Sequence, residues 1–215
     1  MMFENKTKIA VFVSGGGTNL QALIDAQNAG KLKSGEIVLV LSSKPDVYAL
    51  ERAANAGIPA AVASRKLLRT QEAFEATILE LLEESEVELI VLAGFLSILS
   101  ESFVKKYPNR IVNVHPSLIP SFCGDGFYGL RVHEAALEKG VKVSGATVHI
   151  VTPECDAGPI VLQRAVAVRE DDTPETLQRR IMEEAEWKIL PDAVRLFCDG
   201  RIKVIDNKVR IEETR

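Results

Sequence analysis

The chain has 215 residues, 47% hydrophobic and 26% charged, a balance that buries a sizeable core and excludes a disordered chain. Its net charge of −4 and its lack of any Lys/Arg run exclude the footprint of a nucleic-acid-binding surface, while leaving a small anionic substrate open. No stretch reaches the ~18 uninterrupted apolar residues of a membrane span, and the three cysteines, Cys123, Cys155 and Cys198, have no CxxC spacing that would suggest a disulfide framework or zinc site.

Met1-Met2-Phe3-Glu4-Asn5-Lys6 enters the first apolar run without a signal-type h-region or cleavage site, so a soluble protein of the reducing cytoplasm is expected. Lys8-Ile9-Ala10-Val11-Phe12-Val13 reads as a buried strand, followed by a glycine turn and a helix over about residues 19–29. A second strand is expected over 36–41, a short helix over 49–56 terminated by Gly57, and a weak strand at Ala60-Ala61-Val62. Over residues 70–84, Phe74, Ile78, Leu81 and Leu82 share one helix face. Leu89-Ile90-Val91-Leu92 and Ile111-Val112-Asn113-Val114 are continuous apolar runs, the pattern of strands buried on both faces.

Further on, a short helix is expected over 132–139 and strands over 146–151 and 160–168, joined by the turn-rich Thr152-Pro153-Glu154-Cys155-Asp156-Ala157-Gly158-Pro159. A long helix starts at Thr173, an N-cap followed by Pro174 and Glu175, and buries Leu177, Ile181, Ala185 and Ile189. Pro191 is expected to kink this helix or end it early. A small hairpin around Asp206-Asn207 closes the chain. Strands alternating with helices give an α/β fold with a mostly parallel central sheet flanked by helices, and ligands in such sheets sit beyond the carboxyl ends of the strands. With no repeat or linker, one domain over residues 1–215 is the economical reading.

Three segments carry candidate chemistry. Ser14-Gly15-Gly16-Gly17-Thr18-Asn19-Leu20 lies between a strand and a helix, where glycines admit an anion and the helix N-terminus offers free N–H groups. It lacks the Gly-Lys-Ser/Thr ending of a Walker loop, and Leu20 breaks the dinucleotide fingerprint. A phosphate monoester on Gly16, Gly17, Thr18 and Asn19 fits better, against the alternative of a tight turn that binds nothing. Asn113 and His115, two apart in an extended segment, project to one side and form a candidate oxyanion-stabilising pair; the alternative is a strand end that they merely cap. Asp156, if brought beside His115, would raise the imidazole pKa and keep it protonated near neutrality, although locally it reads as a turn residue. His149 is a candidate supporting residue or a satisfied structural histidine, and His133 reads as structural. Cys155 beside Asp156 is a less favoured nucleophile. Three histidines without HxH or HxxxH spacing predict no metal.

Together with Leu92-Ala93-Gly94-Phe95, Asn113-Val114-His115-Pro116-Ser117-Leu118-Ile119-Pro120 and Asp156-Ala157-Gly158-Pro159-Ile160, the glycine loop resembles the phosphoribosylglycinamide formyltransferases, in order from about Lys8 to Gly200. The resemblance implies a Rossmann-like formyltransferase fold. A phosphate-binding βαβ half would cover about 8–124, and a half with the folate loop and C-terminal helix about 125–215. It implies formyl transfer from 10-formyltetrahydrofolate, a co-substrate, to glycinamide ribonucleotide in de novo purine synthesis. It also implies no metal, no nucleic-acid or membrane partner, and a cytoplasmic monomer or homodimer. Asn113, His115 and Asp156 would be catalytic, with His149 and Ser117 in support. Glu186, with Glu183, would meet the ribonucleotide, and Gln71, Leu96, Ser97, Ile98, Leu99, Asn113, Thr152 and Asp156 the folate.

The chain departs from the common pattern of this family at several positions. Gln71 stands where many relatives have Arg, Ser97 where Arg or Lys is usual, Glu183 where Lys or Gln is frequent, and Trp187 where His is frequent. Residues 123–129 (Cys123-Gly124-Asp125-Gly126-Phe127-Tyr128-Gly129) read as a glycine-hinged flap. Methionyl-tRNA formyltransferases and formyltetrahydrofolate hydrolases are the neighbouring readings; the first is expected to need a further C-terminal domain and the second an N-terminal regulatory domain. A non-catalytic nucleotide- or NAD-binding module would leave Asn113, His115 and Asp156 unexplained.

Overall fold

The computed structural model describes residues 6–213, so the leader reading of residues 1–5 lies outside the described residues. Strand β1 (Thr7–Val13) leads through the glycine loop into helix α1 (Thr18–Asn28). There follow β2 (Gly35–Ser42), α2 (Tyr48–Asn55), β3 (Ala60–Val62), α3 (Arg65–Leu68), α4 (Gln71–Glu84), β4 (Leu89–Leu92), α5 (Glu101–Val104) and β5 (Ile111–His115). Helix α6 (Leu130–Lys139) precedes β6 (Val143–Ile150) and β7 (Ile160–Ala167).

The strands form a seven-stranded sheet in the order β3-β2-β1-β4-β5-β6-β7. The pairs from β3 to β5 are parallel, whereas β5–β6 and β6–β7 are antiparallel. The chain moves outward in one direction from β1 to β2 and in the other from β1 to β4. The crevice between the carboxyl ends of β1 and β4 is therefore a topological switch point, where open α/β sheets bind ligands.

Period-two alternation explains why the inner strands read as unbroken apolar runs. Ile9, Val11 and Val13 of β1, with Leu89 and Val91 of β4 and Val112 and Val114 of β5, face one core, which holds Leu20, Leu23 and Ile24 of α1. Ala10 and Phe12, with Ile90, Leu92 and Ile111, face the other, closed by Phe74, Ile78 and Leu82 of α4 and by Phe103 of α5. Each strand thus needs apolar side chains on both faces. The short helices α3 and α5 hold too few residues for a periodic signal and were not expected.

An early end of the last helix at Pro191 is overturned. Pro191 neither ends nor shortens the last long helix, which runs through α7 (Pro174–Ile181), a π-helical turn (Met182–Glu186) and α8 (Trp187–Cys198), with Pro191 inside α8. The irregularity sits one turn earlier, where the Trp187 N–H reaches back to the Met182 carbonyl. A spacing of four residues drifts around a helix of about 3.6 residues per turn. The wider π turn takes up that drift, and Leu177, Ile181, Ala185 and Ile189 all remain buried.

The helix start agrees with its signal: Thr173 and Thr176 form a reciprocal capping box. The terminal hairpin, β8 (Ile202–Ile205) with β9 (Lys208–Ile211), turns at Asp206 and Asn207, both at positive φ. No described helix is long and apolar enough to cross a membrane.

Candidate active site

The loop after β1 is shaped by one glycine above all. Gly17 caps α1 with φ 71°, in the left-handed region, and a Cβ there would stand 2.7 Å from the Cβ of Ala49. No side chain caps α1, and among the described residues the Gly15, Gly16 and Gly17 amides donate to no protein acceptor. Free amides at a helix N-terminus form an anion cradle. Ser14 Oγ contacts Ser43 Oγ at 2.6 Å and accepts the Leu96 amide at 2.8 Å, tying the loop to residues 96–99 beyond β4.

The loop side chains of Asn19 and Thr18 are already engaged. Asn19 is buried, and its Nδ2 donates to Glu186 Oε2 at 2.6 Å, so its amide is spent inside the protein. The Thr18 hydroxyl donates to Met182 Sδ at 3.7 Å. The groups free to meet an anion are thus backbone N–H groups. Glu186 is itself buried, and burial pushes its carboxyl up to about 7 despite the Asn19 bond. Glu183, expected beside it, is exposed and paired with Arg179 at 2.8 Å. The structure joins Glu186 to the loop and turns Glu183 toward α7.

The candidate catalytic residues converge from three segments. Asn113 and His115 project together from β5, and antiparallel pairing sets His149 of β6 opposite Asn113. Asn113 Nδ2 donates to His149 Nε2 at 3.2 Å, while His149 Nδ1 donates to the Ile150 carbonyl at 3.0 Å. Asp156 enters from the β6–β7 loop with φ 52°, a strained conformation for a residue with a Cβ. Its carboxylate stands 3.6 Å from His115 Nδ1 and 3.4 Å from His149 Nε2, and accepts the Gly124 amide at 2.9 Å. Behind it, a Cβ on Gly158 would run into the Ile150 carbonyl oxygen, so glycine lets this loop close onto β6. Asp156 is therefore a partner of both histidines, whatever its local sequence suggests.

The electrostatics reverse one expectation. The His115 pKa lies below its ordinary 6.5: burial dominates, and the Phe122 carbonyl and Asp156 offset it only in part. At 3.6 Å the Asp156 contact is too long for a strong hydrogen bond. The firm bond is Nε2–H to the Phe122 carbonyl at 2.9 Å, which fixes a proton on Nε2. Asp156 is also desolvated, but the His149 ring, the Gly124 amide and His115 beside it hold its carboxyl down at about 2. Cys155 is pushed up to about 11, first by burial and then by Asp156, which removes the thiolate a nucleophile needs. His133 is wholly buried with neither ring nitrogen bonded, and its pKa falls to about 4, mainly through desolvation.

Of the expected folate residues, Gln71 and residues 96–99 lie together beyond β4, whereas Thr152 follows the end of β6. Gln71, at the start of α4, donates from Nε2 to the Ile98 carbonyl at 3.1 Å and to Glu75 Oε1 at 2.6 Å. Leu96 and Ile98 are 55% and 84% exposed, an apolar surface open to a flat ring, while Ser97 and Leu99 are half-buried. The Thr152 hydroxyl donates to the Glu154 carbonyl at 3.2 Å. Ser117 is fully buried and holds the following turn through the Ser121 carbonyl at 2.5 Å, a supporting role in geometry. Sequence reasoning missed the Phe122 carbonyl on His115 and Arg52 beside the glycine loop, since neither contact has a local signal. Among the described residues no group of three or more His, Cys, Asp or Glu is arranged to hold a metal.

Comparison with known proteins adds an independent line. The profile of the family described as formyl transferase matches residues 7–194. The chain is 46% identical over 200 residues to the trifunctional purine biosynthetic protein adenosine-3 of Gallus gallus, covering 93% of this chain and 19% of that protein. It therefore spans about a fifth of the length of that relative. It is 40% identical over 200 residues to the phosphoribosylglycinamide formyltransferase of Haemophilus influenzae, covering 93% of this chain and 91% of that one. The solved glycinamide ribonucleotide transformylase 1 of Symbiobacterium toebii superposes with a TM-score of 0.90 at 43% identity, over 97% of this chain and 95% of that one. A formyltetrahydrofolate deformylase of Pseudomonas syringae superposes with a TM-score of 0.86 at 27% identity, over 97% of this chain and 66% of that one.

Proposed function

We propose that this chain, which belongs to the formyl transferase family, transfers the formyl group of 10-formyltetrahydrofolate to the amine of glycinamide ribonucleotide. The observation that carries this reading is a coincidence at one end of the sheet. Strands β1, β4 and β5 are parallel, so the anion cradle after Val13, the apolar rim at Leu96 and Ile98, and Asn113 with His115 all open at the same end. A phosphorylated amine and a formyl-bearing ring compound need those three features side by side.

The chemistry is direct acyl transfer. The ribonucleotide phosphate sits on the free amides of Gly16, Gly17 and Thr18, and its ribose hydroxyls meet Glu186. The substrate amine attacks the formyl carbon as the C=O π electrons move onto oxygen. Asn113 Nδ2–H and His115 Nε2–H donate to that oxygen. Negative charge there favours the imidazolium, which Asp156 stabilises across the 3.6 Å gap. The amine proton leaves through Asp156 or a water, the oxyanion collapses, and the C–N bond to tetrahydrofolate breaks with protonation of the departing nitrogen. Residues 123–129 act as a flap hinged at Gly124, Gly126 and Gly129, all at positive φ. Hydrogen exchange in this segment slows when both substrates bind; unchanged exchange would rule the flap out. The setting proposed is the cytoplasm.

A hydrolase reading has specific support in the likeness to the Pseudomonas syringae deformylase. The deciding experiment follows formyl-folate consumption spectrophotometrically with and without glycinamide ribonucleotide. Consumption that requires the ribonucleotide and yields its N-formyl product supports the transferase; equal consumption without it overturns that reading in favour of hydrolysis.

A further inference from the structure

Helix α2 lies against the anion cradle and is part of its construction. Its Ala49 amide donates to the Gly15 carbonyl at 3.2 Å. One turn along, Arg52 Nε donates to the Gly16 carbonyl at 2.8 Å, and Nη1 donates to Gln21 Oε1 of α1 at 2.9 Å. The guanidinium is braced 4.8 Å from the centre of the Tyr48 ring. The approach is close enough that a Cβ on Gly17 would meet Ala49 Cβ at 2.7 Å and Arg52 Cδ at 3.4 Å. Arg52 thus fastens the loop to two helices at once.

Two consequences follow from the chemistry of these partners. A peptide carbonyl and the next amide N–H point in nearly opposite directions, because the peptide unit is planar and trans. Holding the Gly16 carbonyl toward Arg52 therefore turns the Gly17 amide the other way, into the cradle. The acceptors on Arg52 are also neutral, a carbonyl and a side-chain amide, and among the described residues no carboxylate forms an ion pair with it. The nearest carboxylate in its network is Asp25, which accepts from Gln21 Nε2 at 2.9 Å, so Arg52 stands without a direct acidic partner beside a site built of partial charges. Arg52 also lines an open groove of about 710 Å³ that includes Thr18.

We propose that Arg52 is a positioning residue for the phosphate subsite: it sets the orientation of the Gly16–Gly17 peptide and supplies a cation without a direct carboxylate partner that favours a dianionic phosphate monoester. The proposal rests on the reading of the glycine loop as a phosphate cradle. Arginine suits the task because its planar fork holds two acceptors in fixed directions while staying charged. Lysine would keep the charge and lose the fork; glutamine would lose both.

The test compares the parent chain with Arg52→Lys and Arg52→Gln by two readouts. Calorimetry with ribose 5-phosphate measures the subsite without formyl transfer, and steady-state kinetics then separates KM from kcat. In Arg52→Gln the ribose 5-phosphate Kd and the KM for glycinamide ribonucleotide rise at least about tenfold, while the formyl-folate KM stays unchanged and kcat falls less than about threefold. Arg52→Lys falls between parent and Gln, with a steeper loss of affinity as salt increases. A Gln variant that binds ribose 5-phosphate within twofold of the parent overturns the proposal. So does a kcat loss equal in Lys and Gln with affinity unchanged, which would mark Arg52 as a scaffold residue only. If the parent itself binds no ribose 5-phosphate, the phosphate-cradle reading fails, and the Arg52 proposal falls with it.

Discussion

His115 donates its Nε2–H to the carbonyl oxygen of Phe122 at 2.9 Å, so the ring spends its best donor on the protein's own backbone. Phe122 holds that carbonyl with φ 50°, a left-handed conformation unfavourable for a bulky residue. Two residues on, the Gly124 amide binds Asp156. The segment leading into the flap thus occupies both polar ends of the His115–Asp156 pair. In the proposed mechanism a substrate carbonyl oxygen takes the place of the Phe122 carbonyl at His115.

Replacing the donors should show up in turnover. Asn113→Ala, His115→Ala and Asp156→Ala each lower kcat at least about a hundredfold, since an oxyanion donor is typically worth ~3–4 kcal/mol in the transition state. Circular dichroism of each variant stays that of the parent. Near-normal turnover in purified, folded His115→Ala would sink the mechanism.

Gly17→Ala combines a positive φ with a 2.7 Å approach to Ala49 Cβ, so the loop must move. The expected result is a ribonucleotide KM raised about tenfold or more, with the formyl-folate KM little changed. Unaltered kinetics would mean that the loop tolerates the Cβ and that its tight packing on α2 is irrelevant to binding.

Glu186 makes stability fall with rising pH. Its folded pKa is raised from 4.5 to about 7, so the folded state keeps a proton that the unfolded chain has lost. The contribution is fully present below 4.5 and is lost as pH rises through about 7. Glu186→Gln removes the dependence and still offers a carbonyl to Asn19. The Tm of the variant relative to the parent should climb steadily from pH 4.5 to pH 8; a pH-independent difference would contradict the burial argument.

His133 works with the opposite sign. Its folded pKa is depressed to about 4 from 6.5, so between those values the unfolded chain binds the extra proton and stability is lost as pH falls. His133→Leu removes a buried ring with two unbonded nitrogens. The Tm advantage of the variant should grow between pH 7.5 and pH 5. If it shrinks on acidification, His133 is protonated in the folded state and has a partner in solution.

Much of the scaffold was legible because it rests on local rules. The alternating two-sided burial of β1, β4 and β5 follows from continuous apolar runs, and Thr173-Pro174-Glu175 marks a helix start by its capping chemistry. Asn113 and His115 were readable as a pair because side chains two apart in a strand share a face. An early end of the helix at Pro191 was misread. Proline forbids one hydrogen bond, but a π turn upstream and burial on the core are sufficient to carry the helix past it.

The sequence by itself determined where backbone amides and polar side chains would sit along the inner strands and most of the longer helices, since periodicity and caps are properties of neighbouring residues. Only the tertiary structure decided what those groups meet. It put Asn19 against Glu186 across 167 residues, Asp156 between two histidines, and Arg52 against the Gly16 carbonyl. It also lowered the His115 pKa by burial where a neighbouring carboxylate alone would have raised it. The physical reason is that hydrogen-bond partners and dielectric environment act through space, and chain order does not specify them until the sheet has assembled.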